Sequence, residues 1–305
     1  MEHTGVSQLR DLLRRGNLEE AQKIVDSEMG QFLQSANTPE VWHFRFFRAQ
    51  VLALRGRTEE ALQFLESFSP PALEDLESTT ELSRCRGAYS GYLGRYEIAH
   101  RLFDEAETTA QQAELFEILG DIYVSRAFIV FRQKDYVTSA ALFRSVLNLS
   151  EKVGGWYLRG HGLWGIGKNL MIEEHYTEAI PWLDESLAIF EKADSPLDIA
   201  MVWSELAVCY LGLGNDQRAL ELFQKTEKVN RECGAAHNYQ VALANIGNVY
   251  LHRHEYFTAV SYYQRALTLA REIKDPVSIK KWTRNINLAY ARIRLQVDCA
   301  HPRSA

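Results

Sequence analysis

The chain has 305 residues with 46% hydrophobic and 24% charged side chains, an ordinary balance that excludes a disordered or fibrous protein. Its formal net charge is −6, and broad nucleic-acid binding is excluded because it needs a positive surface that replaces the counterions on phosphate. The positive charge is concentrated in residues 271–305, which contain eight Lys and Arg but only three acidic residues. We interpret this basic end as a solvated helix face.

Ala, Leu, Glu, Gln and Arg are abundant while prolines number only seven, so we expect helices rather than sheet. The N-terminal stretch lacks an apolar run of signal-peptide length, and no window approaches the ~18 uncharged apolar residues of a membrane helix. A cytoplasmic protein without membrane contact is therefore expected. The cysteines are far apart and form no CxxC pair, so we expect reduced thiols that act as small apolar fillers. They are Cys85, Cys209, Cys233 and Cys299.

The predicted helices follow one another in repeats of about 40 residues. The repeats are anchored near residues 8, 48, 86, 126, 166, 206 and 246; the first reads "QLRDLLRRGNLEEAQKIVDSE" and the seventh "IGNVYLHRHEYFTAVSYYQRAL". The period shortens to 38 at "FSPPALEDLES" (68–78), which we predict to be a rigid loop between the second and third repeats. The last helix, "SIKKWTRNINLAYARIRLQV", continues the register at Ile286 but has no second helix after it.

Each repeat is predicted to contain two amphipathic helices, which we call A and B. The B helix has a small residue near its start, which lets two helices approach, and a bulky residue one turn later, which fills the space beside it. Neither helix can bury its apolar stripe alone, so the repeats are expected to stack. The small residues are Ala21, Ala61, Ala99, Ser139, Ala179, Ala219 and Ala259, and the bulky ones are Val25, Leu65, Phe103, Phe143, Leu183, Phe223 and Tyr263.

This pattern of small and aromatic residues resembles the tetratricopeptide repeat (TPR), best in "NIGNVYLHRHEYFTAVSYYQRALTLA". The resemblance covers residues 1–297 and implies an all-α fold: a single domain that is a right-handed α-solenoid of seven TPR-like helix pairs. A C-terminal capping helix is expected at about 276–297, followed by a tail at 298–305. Because the TPR period is ~34 residues, each helix is expected to be about three residues longer than usual.

Stretches such as "LRDLLRRGNLEEA" and "FRFFRAQVLALRGRTEEAL" are similar to the TPR sensor region that precedes a caspase-like CHAT protease domain in bacterial proteins. The resemblance implies recognition and regulation. The chain ends within fifteen residues of "INLAYARI" without a CHAT domain, so we expect no protease activity from it.

Two short motifs suggest chemistry that their position contradicts. Residues 160–165, "GHGLWG", match GxGxxG, and residues 162–169, "GLWGIGKN", match the phosphate-loop pattern GxxxxGK. A phosphate loop follows a strand and has a Ser or Thr after its Lys, whereas the 40-residue register places this stretch in an A helix.

"HRHE" (252–255) falls on the turn between helices A and B of the seventh repeat, where further metal ligands are not expected. We therefore predict neither a nucleotide site nor a metal site.

In a stack of such repeats the A helices line the concave groove, and we expect partner contacts at positions two before, one before, two after and five after each anchor. An Asn there can pair with the N–H and C=O of an extended peptide, and a cation can bind a carboxylate. By resemblance to peptide-binding TPR proteins, the candidate residues are Asn245, Asn248, Asn285, Lys168, Trp164, Glu205, Arg284 and Arg84. Two alternatives stay open: the asparagines can form hydrogen bonds between helices, and Trp164 can belong to the core.

The predicted function is a non-enzymatic scaffold that binds a protein or peptide ligand in this groove, without a cofactor. No GxSxG or HExxH motif occurs in the chain. The alternative is a cytoplasmic, peptide-sensing regulatory protein whose superhelix changes pitch when the ligand binds. The sequence predicts no particular oligomeric state.

Overall fold

A computed structural model of the chain describes residues 9, 12–13, 15–32 and 38–300. Within these residues the protein consists of α-helices and has no β-strand. The helices with defined bounds are α1 (Leu18–Phe32), α2 (Pro39–Leu54), α3 (Thr58–Glu66), α4 (Leu76–Tyr92), α5 (Tyr96–Gln112), α6 (Phe116–Arg132), α7 (Tyr136–Val153), α8 (Trp156–Ile172), α9 (Tyr176–Lys192), α10 (Pro196–Gly212), α11 (Asp216–Glu232), α12 (Ala236–His252), α13 (Tyr256–Glu272) and α14 (Pro276–Ala300).

The chain divides into two compact units, an N-terminal unit at Met1–Val202 and a C-terminal unit at Trp203–Ala305. In the N-terminal unit the A helices α2, α4, α6 and α8 each pack against their own B helix, and the B helices α1, α3, α5 and α7 also contact the next A helix. In the C-terminal unit α11, α12, α13 and α14 pack in succession. The predicted all-α solenoid of helix pairs is thereby confirmed, while a single domain over residues 1–297 stays a prediction.

The capping helix α14 begins at Pro276 as expected and runs to Ala300, three residues past the predicted end. Most A and B helices from α4 onward have 17 residues, which agrees with the lengthened repeat. The A helix of the first repeat lies largely outside the described residues.

The predicted small and bulky positions of the B helices form the core of each unit. The bulky set, from Val25 to Tyr263, and the small set, from Ala21 to Ala259, are all at most 1% exposed. In the N-terminal unit the Phe143 ring packs edge-on against Phe128 of α6 and Trp164 of α8. A bulky residue of one B helix is thus covered by the A helices on both of its sides, and this is why neighbouring repeats need one another.

Each turn from helix A to helix B contains one residue in the left-handed backbone region. These residues are Gly16, Gly56, Gly94, Lys134, Glu174, Gly214 and His254, with φ between 61° and 81°. At Gly214 the N–H donates to the Leu211 carbonyl (3.0 Å) and the next N–H, of Asn215, donates to the Tyr210 carbonyl (2.8 Å). This is the Schellman arrangement, which satisfies the last carbonyls of a helix and favours glycine.

The turn geometry predicts opposite effects for two exchanges. Gly214→Ala is expected to lower the free energy of unfolding by about 1 kcal/mol, because the added Cβ meets no atom within 4 Å and only the backbone conformation costs energy. Glu174→Gly, at the same turn position with φ 64°, is expected to raise it by roughly 0.5 kcal/mol. Urea denaturation of both variants tests this; an unchanged midpoint for Gly214→Ala would contradict it.

No helix among the described residues is both long enough and apolar enough to cross a membrane.

Candidate functional site

The A helices share one face, which is formed by the residues five before, one before and two after each anchor. In α6 these are Asp121, Ser125 and Phe128, which are partly exposed, whereas their neighbours Ile122 and Ile129 are fully buried. We call these positions the A-helix face. For the repeats anchored at 86, 126 and 166, in the N-terminal unit, it comprises Glu81, Cys85, Ala88, Asp121, Ser125, Phe128, His161, Gly165 and Lys168. In the C-terminal unit it comprises Glu205, Val208, Val241, Asn245, Asn248, Lys281, Asn285 and Leu288.

The position two before the anchor belongs to the core in several repeats, and this corrects the placement of Trp164. Trp164 is 1% exposed, and Val124 and Ala244 at the same position are 4% and 0% exposed. The indole packs against Phe128, with ring centroids 4.9 Å apart. One residue along a helix corresponds to a rotation of about 100°, so a residue next to the A-helix face already turns toward a neighbouring helix. Trp164 therefore stabilises the stack and does not present its ring to a partner.

Arg84 lies beside the A-helix face and connects two neighbouring A helices. Its guanidinium forms a two-armed ion pair with Glu81, in which Nε donates to Oε2 at 2.7 Å, and Nη1 donates to the Ser125 hydroxyl at 3.0 Å. Burial lowers the pKa of Arg84, but Glu81 and the other negative groups around it, such as Asp121, together outweigh burial and raise that pKa well above its ordinary value. Arg84 is therefore already engaged by protein groups and positions Glu81 and Ser125.

A group of polar and aromatic side chains follows on α8 and α10. The rings of Tyr157 and His161, one helical turn apart, have centroids 4.3 Å apart, and Phe190 packs edge-on against His161 at 5.2 Å. His161 Nε2 lies 3.8 Å from Asp198 Oδ1, and the Ser195 hydroxyl donates to Asp198 Oδ2 at 2.6 Å. Burial lowers the pKa of His161 against the opposing effect of Asp198, so the imidazole is neutral at pH 7.

The same group carries negative charge from three A helices, α4, α6 and α10. Although the Tyr157 side chain is 39% exposed, desolvation of its hydroxyl raises the pKa of that group well above its ordinary value, and the carboxylates of Asp121 and Asp198 raise it further. Glu81 adds a third carboxylate and Arg84 a single positive charge that opposes them. We call Glu81, Arg84, Asp121, Tyr157, His161 and Asp198 the acidic cluster. It has an excess of negative charge.

Positive charge lies at the opposite end of the same A helices. Lys168 Nζ lies 4.8 Å from the ring centroids of both Phe131 and Trp164, and the Arg132 guanidinium lies 5.4 Å from that of Tyr92. His161 and Lys168 are seven residues apart on α8, which corresponds to about 10 Å along the helix axis. The A-helix face of the N-terminal unit is thus acidic toward the helix starts and basic toward the helix ends.

In the C-terminal unit the A-helix face carries amides. Tyr263 donates its hydroxyl hydrogen to Asn248 Oδ1 at 2.7 Å, Asn248 Nδ2 lies 3.4 Å from Asn245 Oδ1, and Asn245 Nδ2 lies 3.5 Å from the Ser204 hydroxyl. Both asparagines are partly exposed. For Asn248 the interhelical hydrogen bond considered above is formed, because Tyr263 belongs to α13.

The other candidates of the C-terminal unit differ in exposure. Asn285 of α14 is partly exposed and Arg284 is exposed, whereas Glu205 of α10 is only 8% exposed. Glu205 therefore offers little surface to a partner. Asn285 occupies the same register position as Asn245, one repeat further along the chain, whereas Arg284 corresponds to Ala244.

The glycine motif at 160–167 is a helix-packing motif. It lies inside α8, whose backbone N–H groups are engaged in the helix. A Cβ at Gly160 would lie 2.6 Å from the Phe190 ring, and a Cβ at Gly167 would lie 2.8 Å from Leu183. Glycine is thus needed here because side chains of neighbouring B helices contact the α8 backbone directly.

The "HRHE" stretch has protein partners in the structure. His252 ends α12 and its Nδ1 lies 2.9 Å from the Asp216 carboxylate, while His254 in the turn contacts the Tyr256 hydroxyl at 2.7 Å. The described residues contain no group of three or more His, Cys, Asp or Glu side chains arranged to hold a metal ion.

Three family models described as tetratricopeptide repeat match the chain, at residues 7–70, 158–232 and 242–277. Together they span more than half of its length. The chain is a tetratricopeptide-repeat protein. No curated protein sequence matches this TPR chain.

Solved structures similar to the TPR chain share its fold. One is a Rap protein complexed with competence and sporulation factor: the match covers 95% of this chain and 87% of the Rap chain, with 18% identity and a TM-score of 0.67. NprR in complex with its cognate peptide NprX covers 96% and 88%, with 13% identity and a TM-score of 0.64. The APC/C hetero-tetramer Cut9-Hcn1 covers 99% and 54%, with 14% identity and a TM-score of 0.67.

Most of the acidic cluster is absent from the residues chosen by sequence. Of its members only Arg84 is among the candidates, although Glu81, Asp121 and His161 recur at the position five before the anchor. That recurrence of polar residues on otherwise apolar helices is the signal that identifies them. Tyr157 and Asp198 lie outside these positions, and only the packing of α10 beside α8 brings Asp198 to His161.

Proposed function

We propose that this TPR protein binds a peptide segment along its A-helix face and acts as a scaffold without catalytic activity of its own. The observation that carries the proposal is the recurrence of polar side chains on this face, Asp121 and Ser125 in one repeat and Asn245 and Asn248 in another, on helices whose other sides are packed. Two proteins of similar fold were solved with competence and sporulation factor and with the peptide NprX, respectively. This agrees with the proposal.

The amides of the C-terminal unit suit the backbone of an extended peptide. The Tyr263 hydroxyl fixes the orientation of the Asn248 amide, and that amide in turn orients Asn245. An oriented amide presents a donor and an acceptor together, which match the C=O and N–H of one peptide residue. Such pairing is independent of the peptide's side chains, so these amides contribute affinity for the peptide backbone and no selectivity among peptide sequences.

Asn245→Ala is expected to weaken peptide binding about tenfold, because one buried polar pair contributes roughly 1.5 kcal/mol. A library of random phage-displayed heptapeptides is selected on the purified wild-type protein, and calorimetry then gives the dissociation constants of the selected peptides for wild type and variant. Thermal unfolding should be nearly unchanged, because Asn245 makes only the long contacts described above.

Asn238→Ala is the matched control, since Asn238 is an exposed residue in the first turn of the same helix. Its dissociation constants should equal those of wild type. Asn248→Ala is less informative, because it removes the partner of the Tyr263 hydroxyl and is expected to lower stability as well. A library that yields no peptide enriched above the bare support would contradict the proposed function.

The regulatory alternative, in which the superhelix changes pitch on binding, stays a prediction. The resemblance to CHAT-associated sensor regions also stays a prediction. Both are compatible with a scaffold that recognises a peptide, which is the part of the function proposed here.

A further inference from the structure

We propose that the acidic cluster of the N-terminal unit binds a cationic side chain of the peptide ligand, the guanidinium of Arg or the ammonium of Lys, at Asp198, His161 and Tyr157. This inference rests on the proposed function and adds the chemistry of the ligand to it.

The charge of the cluster selects a cation. Glu81, Asp121 and Asp198 bring three carboxylates to the starts of neighbouring A helices, and Arg84 supplies one positive charge, which its ion pair directs to Glu81. His161 does not reduce the negative excess, because its buried imidazole is neutral. An anionic ligand would be repelled here, whereas a cation gains from every carboxylate within a few ångströms.

The aromatic rings favour a cationic side chain over a small hydrated ion. Tyr157 is 39% exposed, and its ring lies against His161 with 4.3 Å between centroids. The face of an aromatic ring attracts guanidinium and ammonium groups, and this attraction increases when the cation is partly desolvated. The ring thus provides a platform at the rim, with the carboxylates beside it.

His161 provides the second, independent indication of a ligand. It is 5% exposed, and its Nδ1 has no hydrogen-bond partner among the described residues. Buried polar atoms almost always have partners, so an unpartnered one at the centre of a charged cluster calls for an explanation. His161 Nε2 faces Asp198 Oδ1 at 3.8 Å, longer than a hydrogen bond, so it is the ring nitrogen placed to pair with a ligand N–H beside Asp198.

Asp198 is held in a fixed position and still has capacity to bind. The Ser195 hydroxyl occupies Oδ2, whereas Oδ1 lies 3.8 Å from His161 Nε2, longer than a hydrogen bond. A ligand N–H can therefore bind at Oδ1 without displacing a protein donor from that atom. Because the carboxylate is already oriented, little entropy is lost when it binds.

The basic end of the same face sets the direction of the ligand. Lys168 lies about 10 Å from His161 along α8, a distance that about three residues of extended chain span. A peptide with its cationic residue at the acidic cluster would have its C-terminal carboxylate near Lys168 when three residues separate the two.

The test uses the heptapeptides selected by phage display on the wild-type protein. We expect Arg or Lys at one fixed position in the enriched sequences, and replacement of that Arg by citrulline, which is uncharged and of similar shape, should weaken binding by about tenfold or more. In the Asp198→Asn protein the penalty for citrulline should fall to about twofold. In Glu151→Gln, which alters an exposed carboxylate of α7, it should stay as in wild type.

A second variant tests the same inference independently, in case Asp198→Asn disturbs the fold. Tyr157→Leu keeps an apolar side chain on α8 but removes the ring, and it should weaken binding of the Arg peptide more than that of the citrulline peptide. Enriched peptides without a preferred basic position, or an unchanged citrulline penalty in both variants, would overturn the inference and leave the scaffold function standing. Failure to enrich any peptide would instead contradict the proposed function itself.

Discussion

Gly165→Ala is expected to destabilise the N-terminal unit by about 3 kcal/mol. A Cβ at Gly165 would overlap the ring of Phe143, which is fully buried and packs edge-on against Phe128 and Trp164. The ring therefore has no space to move into. Alanine is the better helix former by about 1 kcal/mol, so a loss of stability can only come from the clash.

Urea denaturation followed by circular dichroism measures this effect, and a double-mutant cycle identifies its cause. Phe143→Leu replaces the ring with a smaller aliphatic side chain, so Gly165→Ala should cost much less in a Phe143→Leu background than in wild type. Gly214→Ala provides a comparison without a clash: its added Cβ meets no atom within 4 Å, so its expected loss of about 1 kcal/mol comes from the left-handed backbone alone. Additive losses in the cycle would show that the Phe143 ring is not responsible.

The glycines of α8 show what sequence reasoning can and cannot predict. The 40-residue register places the motif at 160–167 in a helix and thereby predicts that it is not a phosphate loop. It does not say which side chain each glycine accommodates. Phe190 reaches Gly160 and Leu183 reaches Gly167 from neighbouring helices, and such pairings depend on helix crossing angles that one sequence does not encode in a readable form.

The A-helix face was predicted in part for a related reason. The register groups residues that share a helix face, so Asn245, Asn248 and Asn285 all belong to the A-helix face. The width of that face depends on how far the neighbouring helices cover each A helix. Trp164 is covered and Asp121 is not. The position two before the anchor is therefore wrong for Trp164, although Arg284 at the same position of α14 is exposed, and the register alone does not predict the exposed position five before the anchor.

Asn248 shows that a structural and a functional role can coincide. The sequence left open whether it binds a ligand or another helix, and the Tyr263 hydroxyl at 2.7 Å establishes the interhelical bond. That bond uses the amide oxygen and leaves the amide nitrogen directed toward Asn245. The packing interaction therefore orients the group that we propose for peptide recognition.

Trp282→Ala is expected to destabilise the C-terminal unit by about 3–5 kcal/mol. The indole is 1% exposed, in a core that includes Leu243 and Tyr263, and its Nε1 donates to Gln240 Oε1 at 3.0 Å. Gln240 is fully buried. The exchange therefore creates a cavity and also removes a donor from a buried amide oxygen, whose loss adds about 1–3 kcal/mol.

The loss should be local before it is global. Trp282 anchors α14 to α12 through Gln240, whose amide nitrogen also donates to Asp275 at the start of α14, 3.1 Å away. Burial raises the pKa of Asp275, but hydrogen bonds from His237 and Ser278 outweigh burial and bring that pKa well below its ordinary value. The Asp275 carboxylate that accepts from Gln240 is therefore charged at neutral pH. Without the indole we expect α14 to detach and trypsin to cleave at Lys280 and Lys281 many times faster than in wild type.

Two further variants separate the contributions to this anchoring. Trp282→Phe retains most of the buried area but has no N–H, so it should cost only about 1–2 kcal/mol, chiefly from the unsatisfied Gln240. Trp182→Ala removes the same side chain from α9, where it is 37% exposed, and should cost less because its burial is incomplete. If trypsin cleaved Trp282→Ala no faster than Trp182→Ala, α14 would be held by its apolar contacts with α13 and not by this residue.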